Sequence, residues 1–189
     1  MAIETCKATS GITNTCEDLL RVGGADQTFW VGYLSELTTR FPISQSADVS
    51  SLPLSIYKGL RRFDGQKFSH SFGSELVVAQ GGNKSYKHTF VGKLLANSTA
   101  DDVVLQDLAL GTDIFIIAQD NNEGFFILGA SKGLQAESDT QNTGNTGDAD
   151  ASNTITLSGS ERTKPLRFRV NQSATSYQDT LNYIQAREI

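Results

Sequence analysis

The side chains able to do chemistry are few and scattered. Two histidines, His70 and His88, and two cysteines, Cys6 and Cys16, are all the chain has of those types. The four together carry zinc-ligating atoms, but the cysteines do not form a C-x-x-C pair and the spacing fits no zinc finger. His88 lies on the apolar side of an alternating run, which predicts a packed, hydrogen-bonded imidazole rather than a general base. His70 stands between Ser69 and Ser71 and is expected to be exposed. Asp139, Asp148 and Asp150 offer clustered oxygen ligands of the kind calcium takes. The stretch G-D-A-D-A-S-N lacks the glycine and the distal glutamate of a twelve-residue calcium loop, so a solvated acidic segment is expected. Gly81-Gly82-Asn83-Lys84-Ser85 lacks the first glycine of a phosphate loop and lies between strand signals, so it reads as a turn. There is no G-x-S-x-G and no H-E-x-x-H. The expectation is a protein with no catalytic residue, no metal and no cofactor.

Binding chemistry offers a little more. Arg61, Arg62 and Lys67 stand close to Phe63 and Phe68, and single-strand binders mix base and aromatic in this way. A net charge of −5 argues against a grip on nucleic-acid phosphate, which needs clustered cations. The same residues suit a hairpin that meets an acidic neighbour. Arg61, Arg62, Asp64 and Lys67 at one pole, with Asp139, Asp148 and Asp150 at the other, suit head-to-tail self-association. Trp30 and the tyrosines offer a stacking platform for a carbohydrate, although the apolar neighbours of Trp30 point to the core.

These residues must be held by a mainly β chain. The length of 189 residues is enough for one domain with a full core. Hydrophobic residues at 38% and charged residues at 20% describe a globular chain rather than a disordered one. No run approaches the ~18 apolar residues of a membrane-spanning helix. The opening M-A-I-E-T-C-K lacks a basic start before an apolar stretch, so no signal peptide is expected. Free thiols at Cys6 and Cys16 fit a reducing compartment, and the alternative, a disulfide between them, needs an oxidising one.

Residues 27–37 read as a strand, with Phe29, Val31 and Tyr33 on one face and Trp30 on the other. Gly32 within it suggests a bulge or a close backbone approach. Residues 38–82 read as a long loop and hairpin region, with Asp64-Gly65 as a two-residue hairpin turn and Gly81-Gly82 as a second turn. From Lys84 to Leu94 the chain alternates: Tyr86, His88, Phe90 and Leu94 share one face, and Lys87, Thr89 and Lys93 the other. A helix is expected over about 99–110, capped by Ser98 or Thr99, striped by Val104, Leu105 and Leu108 and ended by Gly111. Residues 113–118 are apolar on both faces, as in a central strand, and 125–130 repeat that after a turn at 121–124. Residues 136–153 hold no bulky apolar side chain and read as a flexible acidic loop. Ile155 and Leu157 restart a strand, Leu166, Phe168 and Val170 face one way, and Tyr177, Leu181 and Ile184 mark a short C-terminal helix. Cys16-Glu17-Asp18-Leu19-Leu20 has room for one helical turn.

The block I-T-L-S-G-S-E-R-T-K-P-L-R-F-R-V, preceded by I-F-I-I-A-Q and F-F-I-L-G-A-S-K-G-L, resembles the major tail tube proteins of long-tailed bacteriophages. The opening C-K-A-T-S-G-I fits the same family. The resemblance implies a single β-sandwich or partly closed barrel over 1–189 with one flanking helix. It also implies a structural virion protein whose six copies form a ring, with rings stacked into a tube that other tail proteins bind and genomic DNA crosses without being held. Such a protein is made in the host cytoplasm and resides in the phage tail. A capsid decoration protein, a head–tail connector subunit and a carbohydrate-binding β module are the alternatives.

Overall fold

Strand order follows from which runs are apolar on two faces and which on one. A computed structural model describes residues 23–42, 48–66, 69–94, 98–142, 152–173 and 175–189. Nine strands and two α-helices are placed among them: β1 (Ala25–Tyr33), β2 (Arg61–Asp64), β3 (Ser71–Val78), β4 (Lys84–Leu94), α1 (Thr99–Leu110), β5 (Ile114–Asp120), β6 (Phe125–Leu128), β7 (Gln135–Asn142), β8 (Ser152–Glu161), β9 (Leu166–Phe168) and α2 (Ser176–Gln185). They form a five-stranded sheet ordered β2-β1-β5-β6-β9 and a four-stranded sheet ordered β3-β4-β8-β7. Every neighbouring pair is antiparallel. The fold is a mainly β, sandwich-like one with flanking helices, and the strands do not close into a barrel.

The five-stranded sheet is the middle layer. One of its faces carries Trp30, Phe115, Ile117, Phe125, Ile127, Leu166 and Phe168, which pack with Ile184, Tyr177 and Leu181 of α2 and with the chain near Phe41, Val49, Leu52 and Leu60. Its other face carries Phe29, Val31, Ile114, Ile116, Ala118 and Leu128. These meet Phe90, Leu94, Ile155 and Leu157 of the four-stranded sheet and Leu105 and Leu108 of α1. β5 is buried on both faces because every residue from Ile114 to Ala118 is apolar, as expected of a central strand.

Several local expectations hold. β1 puts Phe29, Val31 and Tyr33 on one face and Trp30 on the other. A Cβ on Gly32 would lie 2.3 Å from the Phe115 ring, which is the close approach expected there. β4 spans Lys84–Leu94 with His88, Phe90 and Leu94 buried. Gly81-Gly82 lies in the β3–β4 turn, where Gly82 N donates to Ala79 O at 2.8 Å. The side chain of Ser98 caps α1 by accepting from Asp101 N at 3.2 Å, and Gly111 follows the last turn.

Other expectations need correction. Asp64-Gly65 does not turn a hairpin: β2 pairs back onto β1, with Phe63 opposite Phe29, and the chain then crosses to the other sheet. A side chain at Gly65 would collide with His70 Nε2 and Lys93 O, so the glycine serves close packing at that crossover. Part of the expected 38–82 loop region is therefore built into β2 and β3, and the long hairpin is β3–β4. The expected acidic loop is strand as far as Asn142 and again from Ser152, leaving 143–150 and Ala151 outside the described residues. Polar residues form β7 because its backbone bonds to β8 while its side chains stay in solvent. Val104 is half exposed, since α1 buries only the narrow stripe of Leu105 and Leu108. The expected helical turn at 16–20 lies outside the described residues.

Candidate functional site

The crossover from β2 to β3 decides what the basic residues around it can do. Pairing with β1 brings Arg61 against Glu36, to which it donates twice, at 2.7 and 2.9 Å. Its guanidinium also lies 4.8 Å from the centre of the Tyr33 ring. Glu36 is held below the usual carboxylate range, first by the hydrogen bond from Arg61, with burial opposing, and Lys58 adds a weaker pull at 3.8 Å. Arg62 pairs with Asp64 at 3.1 Å, and Asp64 also accepts from Thr28 Oγ1 at 2.7 Å. Arg61, Arg62 and Asp64 are thus answered within the chain. Lys67, Asp148 and Asp150 lie outside the described residues, as do Cys6 and Cys16. Asp139 is exposed on β7, opposite Ile155.

The histidines are both buried. His88 Nε2 bonds Thr163 O at 2.7 Å, and Nδ1 accepts from Gly129 N at 3.3 Å. A carbonyl can only accept, so the proton sits on Nε2 and the ring is neutral with both nitrogens occupied. Burial pushes its pKa down, against the Thr163 carbonyl and the nearby Glu161. The exposure expected of His70 is corrected: it is 2% exposed, wedged between Phe29 and Phe90, because the crossover it sits on passes under the inter-sheet core. Neither of its ring nitrogens has a partner among the described residues, and burial lowers its pKa while Asp26 opposes. Trp30 is also buried, and its Nε1 donates to Glu188 Oε1 at 2.6 Å, tying down the end of the chain after α2. A buried indole offers no stacking face to a sugar.

Among the described residues, the four-stranded sheet has one face with no element packed over it. Its inner face packs on the core. Its outer face carries Thr89, Val91 and Lys93 of β4 opposite Ser158, Thr156 and Thr154 of β8. Ser71, Gly73 and Glu75 of β3 and Ser138 and Thr140 of β7 extend that face. Lys87 and Glu137 pair across it at 3.2 Å, so the face is hydroxyl-rich and close to neutral. Both edges are open: β3 and β7 have no further strand partner among the described residues, and each is eight residues long. At the end of β3, Leu76, Val77 and Val78 are 52%, 39% and 58% exposed.

A feature without any sequence signal lies at the far end of β8. Glu161, 2% exposed, accepts from Lys132 N at 2.8 Å, Gly133 N at 3.1 Å, Ser131 N at 3.1 Å and Ser131 Oγ. The loop G-A-S-K-G-L thus wraps one carboxylate. Beside it a concavity of about 290 Å³ is lined by Arg40, Phe41, Ser131, Lys132 and Arg162. Its three cations come from the segments before β2, after β6 and after β8, so no local pattern reveals that they converge. A larger groove of about 540 Å³ between the β5–β6 turn and α2 carries both signs of charge, from Asp120 and Glu123 to Arg167 and Arg169.

Compared with protein-family models, with curated proteins and with solved structures, the chain finds no match.

Proposed function

We propose that this chain is a structural subunit that self-assembles edge to edge into rings, and that stacked rings form a tail tube through which DNA passes. The observation that carries the reading is the pair of open edges on one polar-faced sheet. An unpaired edge is a row of free N–H and C=O groups, ready to template another strand. With four antiparallel strands, β3 and β7 run in opposite directions. A copy related by rotation therefore brings its β3 beside β7 and continues the antiparallel pattern without a break. Repeating that heterologous contact closes a ring when the rotation closes, and six copies are what the family resemblance implies. The hydroxyl-rich outer face then lines the channel. A near-neutral lining has little attraction for phosphate, so DNA can move through it. The exposed apolar end of β3 would be covered by the neighbour.

Negative-stain microscopy of the purified protein tests this reading. Rings or rods are expected. A species that stays monomeric at high concentration, with and without a tail initiator complex, would refute it. The same edges also suit a head–tail connector, which would give single rings and never rods.

A further inference from the structure

How one ring meets the next depends on charge at the two ends of the four-stranded sheet. Building on the ring reading, we infer that the concavity formed by Arg40, Lys132 and Arg162 is a socket for the acidic opposite end of that sheet in a second copy, marked by Asp139 and Asp102. None of the three socket cations has an ion-pair partner among the described residues. Arg40 is held over the concavity by donating to Ser131 O at 2.6 Å. Glu161, the carboxylate beneath, is occupied by the backbone of the loop that wraps it. Away from the socket the balance reverses. Asp139 is exposed just past the middle of β7, and the sequence from 133 to 161 has no Lys or Arg. The first turn of α1, with Asp101 and Asp102, stands at the opposite end, beside Leu94, which pairs with Asn153 at the start of β8. Of the cations nearby, Arg62 is held by Asp64, and Lys93 points to the outer face of the sheet.

One copy cannot satisfy itself. Asp139 lies opposite Ile155, and Glu161 closes β8 well beyond it. At ~3.3 Å per residue that stretch of strand is about 20 Å long, more than an aspartate and a lysine or arginine can bridge. The charges can therefore meet only between copies. Because they are separated along the strands, the contact runs along the strand direction. Side-by-side pairing uses the sheet edges, so the two contacts do not compete. Opposite patches raise the rate of productive encounter and penalise inverted stacking, in which like meets like.

Charge reversal distinguishes the two contacts. A variant with K132E and R162E should still form rings but lose rods, with the concentration needed for rods rising more than about tenfold. A second variant, D102K with D139K, should behave in the same way. Mixed together, the two should form rods again, since each then offers the sign the other needs. A thermal melt of each variant monomer checks the fold, and the milder K132Q/R162Q and D102N/D139N serve if a reversal does not fold. Rods from the first variant at native concentration, or no rescue on mixing, would overturn the socket. So would unchanged rods combined with a loss of DNA retention, which would assign the cations to phosphate. Absence of rings in the native protein would instead sink the ring reading itself.

Discussion

Replacing Glu161 with alanine should cost this chain about 3 kcal/mol of stability. Four donors converge on the carboxylate: the backbone N–H groups of Ser131, Lys132 and Gly133, and the hydroxyl of Ser131. Gly133 is buried, so its N–H would be stranded, which costs ~1–3 kcal/mol. Ser131 and Lys132 lie nearer the surface and can turn to water, so each loses only the net worth of a bond, ~0.5–1.5 kcal/mol. The shortened side chain also leaves a gap where a buried group had been. Glu161→Gln keeps one oxygen for Lys132 and Gly133 but turns an amide donor towards Ser131, so it should lose about half as much. Urea denaturation of the monomer, followed by tryptophan fluorescence from Trp30, reads both. The midpoint should fall while the slope stays constant. A loss under ~1 kcal/mol for the alanine variant would mean that the loop finds equivalent partners, and that the carboxylate is not what holds it.

Three further outcomes are expected. His70 and His88 are both neutral and buried with depressed pKa values, so the unfolded chain binds protons more readily. Their contribution is present above the unfolded pKa of about 6.5 and is lost as pH falls through that value towards the folded ones. Stability measured between pH 7.5 and 5 should decline, the slope should shrink when either histidine is replaced by glutamine, and a flat native profile would contradict the assignment. Gly32→Ala should destabilise by at least ~1–3 kcal/mol, because a methyl would sit inside the Phe115 ring's space, and Phe115→Leu in the same chain should recover part of the loss in thermal melts. Glu36→Gln should cost ~1 kcal/mol at neutral pH, since Arg61 and Glu36 are only partly shielded, and the difference from native should vanish as pH falls below the carboxylate range.

What could be read in the chain depended on whether a signal was local. β4 alternates so regularly that its bounds and its buried face follow from side-chain type alone, and the Ser98 cap and Gly111 bracket α1 in the same way. β5 declares itself central by being apolar throughout. The failures share a different cause. Asp64-Gly65 has the chemistry of a hairpin turn, but Phe63 gains more by stacking on Phe29, 5.3 Å away and far back in sequence. His70 sits between serines yet is buried, since burial there is set by the crossover and not by its neighbours. β7 turns only one small apolar side chain, Ala136, onto the core and leaves the rest in solvent, so composition mistook a strand for a loop. The cation socket was invisible for the same reason as β2: its members meet only once the sheets have packed.

The placement of the core on both sides of one sheet has a consequence for how the molecule breathes. The amides of β5 are buried under two layers, so they should exchange with deuterium only when the whole molecule opens. Those of β3 and β7, with one side free, need far less. The parts of the chain proposed to join neighbours are thus the parts with most freedom left to lose, and they touch the central sheet mainly through single side chains such as Phe72 of β3, against Phe126, and Ala136 of β7. A subunit built in this way can adjust its edges to the curvature of a ring while its centre stays unchanged.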